Sequence, residues 1–148
     1  MTAPIVIRSA AAEACAKRFA GRRLKWGTVD CAKIASHNLR KLGISTGLLK
    51  GLTWSSEHGA LRALRSLGHD TLASALDAMP GLFRIPPAAA TTADIIGMQA
   101  EGKVWDMALV VGYTNGRVFG IDATGVAAVL RPDLSCAIAA WRCNPCRR

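Results

Sequence analysis

The reading of the chain turns on Leu24-Lys25-Trp26-Gly27-Thr28-Val29-Asp30-Cys31-Ala32-Lys33-Ile34-Ala35. An aromatic and a glycine lead into Asp30, and an apolar run at helical spacing begins at Cys31. Asp30 suits an N-cap, because its carboxylate can accept from the free N–H groups of a first helical turn. Cys31 then falls in that first turn, where the helix dipole favours a thiolate. The alternative is a core thiol, since Cys31, Ile34, Ala35, Leu39 and Leu42 share one helical face.

Composition narrows the classes. A chain of 148 residues with 51% hydrophobic content is long enough to fold around one core, and a single domain over 1–148 is expected. No apolar run reaches the roughly 20 residues of a membrane span. Residues Met1 to Arg8 lack the basic-then-apolar pattern of a secretory signal, so folding in a cytoplasm is expected. Net charge is +9, from 19 Lys+Arg against 10 Asp+Glu, which fits an anionic partner. Specific nucleic-acid binding is not expected, because no basic stripe is interleaved with aromatics.

The five cysteines form no disulfide framework expected of a secreted chain. Cys136, Cys143 and Cys146 are spaced Cys-x6-Cys-x2-Cys and are the one metal alternative. A single CxxC without a second pair or a neighbouring histidine is a poor zinc signature, so neither metal nor cofactor is expected.

Periodicity predicts helices first and strands second. Helices are expected over Ser9–Arg23, Cys31–Leu42 (closed by Gly43), a third from Ser55 or Ser56 with Ala60, Leu61, Leu64 and Leu67 at core spacing, and a fourth over Thr71–Met79 capped by Asp70. Pro86-Pro87 marks the change of layer. Strands are expected over Asp94–Met98, Val104–Tyr113, Arg117–Ile121, Val126–Leu130 and Ala137–Arg142, with Asn115-Gly116 as a hairpin turn. The expected class is α+β, with a helical part over about 9–79, an antiparallel sheet part over about 94–142, and a tail over 143–148.

A cysteine at a helix N-terminus followed by a strand meander resembles the NlpC-like, papain-fold cysteine peptidases that cut peptidoglycan stem peptides. Trp26, Gly27, Asp30 and Cys31 match that family's nucleophile motif, with Ala32 and Lys33 in place of Ser-Gly. Ala93-Asp94 resembles its Gly-Asp strand opening. Asp106 occupies the position of the family's base histidine, and Asp122, before Ala123, that of the orienting residue. The pattern is closer still to a group of phage proteins encoded among tail genes, which share Trp-Gly-x-x-Asp-Cys and a late Ala-Trp-Arg, here Ala140-Trp141-Arg142. The resemblance implies a papain-like core, Cys31 as nucleophile, and Trp26, Asp30 and Trp141 as candidate binding residues.

The base is the difficulty. A carboxylate with a pKa near 4 is a poor partner for a thiol at neutral pH. His37 lies about 120° around the helix from Cys31 and is expected on the solvent side, His69 is expected at a helix end, and only His58 comes from another element. The preferred expectation is a structural protein of a phage tail tip, with a papain-like fold and an incomplete catalytic site. Its partners would be other tail tip or hub proteins, and peptidoglycan. Its places would be the host cytoplasm during assembly and then the virion. The alternative is an active peptidoglycan-degrading peptidase using Cys31. The segment Trp141–Arg148 is expected as an assembly contact, a frayed terminus being the other reading.

Overall fold

The computed structural model describes residues 4–44, 51–100 and 105–144. Among them, four helices precede a six-stranded antiparallel sheet: α1 (Pro4–Phe19), α2 (Cys31–Lys41), α3 (Glu57–Ser66), α4 (Leu72–Asp77), β1 (Leu82–Ile85), β2 (Ile95–Met98), β3 (Ala108–Gly112), β4 (Val118–Ile121), β5 (Ala127–Leu130) and β6 (Ala137–Cys143). The class is α+β. The strands lie in the order β1-β6-β2-β3-β4-β5.

The starts of α2 and α3 follow from their caps. Asp30 accepts from Lys33 N–H at the head of α2 and Ser56 from Gly59 N–H at the head of α3. Gly43, with φ +84°, stands just beyond the end of α2, where a left-handed residue releases the chain. The apolar stripe of α1 is Ala12, Cys15 and Phe19, all buried. This helix begins earlier than the expected Ser9, with Pro4 at its first position, where the missing N–H costs nothing. It also stops at Phe19 rather than running to Arg23. From Gly21 onward the chain pairs with the edge of β5: Gly21 N–H donates to the Ala127 carbonyl, and Ala127 N–H to the Arg22 carbonyl.

Four further expectations are corrected. Leu67 is 50% exposed rather than core, because it is the C-cap of α3 and lies past the turns that bury Ala60, Ala63 and Leu64 in the core. Thr71, not Asp70, caps α4; Asp70 is exposed and pairs loosely with Arg65, at 3.6 Å. The sheet begins before the Pro-Pro segment, at Leu82. Residues Leu82 to Ile85 have no clear period of their own and become a strand by pairing with β6. The expected strand from Val104 starts at Ala108; Val104 itself lies outside the described residues.

The sheet alternates faces as a pleated strand must. Ile95, Leu109, Ala139, Trp141 and Cys143 point to the helices and pack with Ala32, Ala35 and Leu39 of α2, while Val111 and Phe119 join Cys15, Phe19 and Ile34. Ile96, Val110, Val118 and Ala140 point the other way, against half-buried Ile85, Met98 and Leu130. Helix α2 therefore lies on the sheet with Cys31 at the end nearest Leu109. No described helix is long and apolar enough to cross a membrane.

Candidate functional site

Cys31 heads α2, and its thiol lies against β3. Backbone hydrogen bonds from Leu109, Ala32 and Cys31 itself favour the thiolate, but burial outweighs them and Asp30 opposes them, pushing the thiol up to about 11. The residue as a whole is half-buried. It is the protonated thiol that this pocket holds at neutral pH.

Asp30 is 1% exposed. One carboxylate oxygen accepts from Lys33 N–H at 2.8 Å. The other accepts from Gly27 N–H at 2.8 Å and from the Trp54 indole N–H at 2.8 Å. A buried carboxylate needs such donors, and these three fasten the 26–30 turn and the loop before α3 to the head of α2. The Lys33 ammonium sits 4.7 Å from the centroid of the Trp54 ring, a cation–π distance. Gly27 has φ +88°, and a Cβ there would lie 1.9 Å from the Trp54 carbonyl oxygen. The glycine of the motif is thus required by backbone geometry. Trp26 is half-buried against the main core, and Asp30 has no face open to a ligand.

The other candidates are dispersed. Asp106 is turned to α4, where it accepts from Leu72 N–H at 2.8 Å and Ala73 N–H at 3.3 Å. Asp122 closes the turn between β4 and β5, accepting from Thr124 N–H, Thr124 Oγ1–H and Val126 N–H. Those bonds hold its carboxyl below the usual range, the Thr124 hydroxyl first among them. Neither carboxylate is among the groups that act on the Cys31 thiol, and no histidine is either. His58 is exposed on α3, and His69 meets the Ser74 hydroxyl at 2.8 Å. His37, expected on the solvent side, is buried. Its ring stands edge-on to Phe19 with centroids 5.6 Å apart, and Nδ1 is 2.8 Å from Arg40.

Trp141 is fully buried and is no contact surface. Its indole N–H donates to Asp77 at 2.8 Å. The Arg84 guanidinium lies 4.7 Å over its ring and grips Asp77 with two hydrogen bonds, which hold the Asp77 carboxyl below its usual range. Cys136 and Cys143 bracket strand β6. Seven strand residues span roughly 23 Å, so the two cannot ligate one ion; Cys146 lies outside the described residues. No metal-binding cluster occurs among the described residues.

A second polar centre was invisible in the sequence. Asp94, 0% exposed, receives Arg8 Nη2–H and Cys143 N–H on one oxygen. On the other it receives Arg142 Nε–H at 2.9 Å, Thr91 N–H at 2.9 Å and Thr91 Oγ1–H at 3.3 Å. Arg8 also donates to the Thr92 and Cys143 carbonyls. Asn38 of α2 donates to the Ala93 carbonyl at 2.9 Å. Ala93 has φ +68°, the conformation for which glycine is favoured, and it stands where the resembled family has glycine.

This centre joins the two ends of the fold, and a protein-family model spans them. It is described as Domain of unknown function (DUF6950), and it matches residues 7–143. The chain belongs to this family. The matched span of the DUF6950 chain includes both Arg8 and Cys143, which bond to each other across the Asp94 centre. No curated protein matches the chain.

Proposed function

We propose that this DUF6950 chain is a structural protein of a phage tail tip, with a core like that of the NlpC-like papain-fold peptidases and without their chemistry. The observation that carries the loss of chemistry is the surroundings of Cys31. A cysteine peptidase needs a base that takes the thiol proton. Here burial holds the thiol up at about 11, and among the described residues neither an imidazole nor a second carboxylate acts on it. The papain-like reading is supported by the placement of Cys31 at a helix head against the second strand of the β2-β3-β4 meander. The tail reading is supported by Trp-Gly-x-x-Asp-Cys and Ala-Trp-Arg. Its partners in this reading are neighbouring tail tip or hub proteins and peptidoglycan, met first in the host cytoplasm and then in the virion.

A second reading has one observation in its favour: three backbone hydrogen bonds favour the Cys31 thiolate, as an active peptidase would need. Purified protein incubated with muropeptides separates the two. No hydrolysis, and slow alkylation of Cys31 at neutral pH, are expected. Hydrolysis that Cys31→Ser abolishes without lowering the melting temperature would overturn the non-catalytic reading. For the tail role, tagged chain should co-purify with assembled tails, and its absence from them would sink the assignment.

A further inference from the structure

The strongest unassigned feature lies where the β3–β4 turn meets the end of β5. The β4–β5 register pairs Val118 with Leu130, which places Arg117 and Arg131 at facing positions one step further on. Like charges directly across an antiparallel pair are destabilising. Both arginines are exposed, and neither guanidinium has an ion-pair or hydrogen-bond partner among the described residues. The neighbouring carboxylate is engaged elsewhere: Asp133 accepts from Ser135 N–H at 3.0 Å, from Ser135 Oγ–H at 2.6 Å and from the Cys136 thiol at 3.6 Å. The two arginines line one groove of about 440 Å³ with Asn115, Gly116, Pro132 and Leu134. Leu134 is 61% exposed at its lip.

We propose that this groove binds an acidic peptide segment of a partner protein, a carboxylate entering between Arg117 and Arg131 while an adjacent apolar side chain rests on Leu134 and Pro132. Guanidinium forks match carboxylate oxygens two at a time, and a ligand charge here removes the repulsion between the facing arginines. A single-stranded nucleic acid fits less well, because no aromatic side chain lines the groove to stack a base.

The test is fluorescence anisotropy with a dansylated hexapeptide of alternating Leu and Glu, at low and at physiological salt. Saturable binding is expected, with Arg117→Gln plus Arg131→Gln weakening it by roughly tenfold or more. The double variant should melt no lower than the parent, since a repulsion is removed. Lys17→Gln plus Lys25→Gln, which removes the same charge elsewhere, should leave the affinity within about twofold. The same hexapeptide with Gln for Glu should not bind. Absence of binding, or equal losses in the two double variants, would overturn the proposal. So would an oligothymidylate that binds more tightly than the peptide and is lost with the same arginine pair.

Discussion

At Gly27 the backbone is left-handed and the space for a side chain is filled by the Trp54 carbonyl. Gly27→Ala therefore costs more than the ~1–2 kcal/mol of a left-handed L-residue alone, because the 51–56 loop must also move off Asp30. Urea titration should show that loss, and a variant as stable as the parent would refute the contact. His37 carries a pH dependence. Burial, with Arg40, Arg18 and Lys41 close by, lowers its imidazole from 6.5 to about 4. Between those values the unfolded chain binds the proton more readily than the folded one. The stability carried by neutral His37 is thus complete above pH 6.5 and is lost as pH falls towards 4. Stability measured across that window should drop, and His37→Gln should flatten the drop; an unchanged slope would exclude His37 as its source. In the sequence, Cys31, Asp30 and Gly27 could be read because they are neighbours in one turn. Trp54, 24 residues from Asp30, carried no signal that it would bond to it.

Helix α4 shows how an element can depend on a distant residue. It has six residues, fewer than an isolated helix needs to persist, and its first N–H groups need acceptors. Thr71 supplies one for Ser74, and Asp106, 34 residues on from Leu72, supplies those for Leu72 and Ala73. Asp106→Ala should cost about 1 kcal/mol, the usual worth of a cap, and should raise amide exchange at Leu72 and Ala73 above that of α2. Uniform exchange in the variant would count against the capping role. This also explains why strand β3 begins late: the Asp106 side chain is directed to α4, and the ladder starts at Ala108. Among the strands, β2 to β6 were legible from alternation and turn residues. Strand β1 was not, since an edge strand of four residues between prolines owes its shape to its partner.

For the whole molecule, the Asp94 centre is the closure. It ties α1 through Arg8, strand β6 through Arg142 and Cys143, and the turn into β2 through Thr91. Removing one side of a buried charge network leaves the other uncompensated, at a cost of about 3–5 kcal/mol. Asp94→Asn should lower the melting temperature accordingly, while Asp70→Asn, at an exposed and loose pair, should leave it nearly unchanged. Equal effects would mean the centre adds nothing to stability. Truncation after Asn144 spares this centre, whereas truncation before Cys143 removes one of its donors. Local sequence was enough for the α+β order, the caps Asp30 and Ser56, and the meander, because a periodic face and a capping side chain act within a few residues. Only the tertiary structure decided that Asp94 is a fully buried hub, that Asp106 serves a helix rather than a thiol, that Trp141 is core, and that β6 lies between β1 and β2. Those outcomes depend on which distant donor satisfies which buried acceptor, and that choice is made when the layers pack.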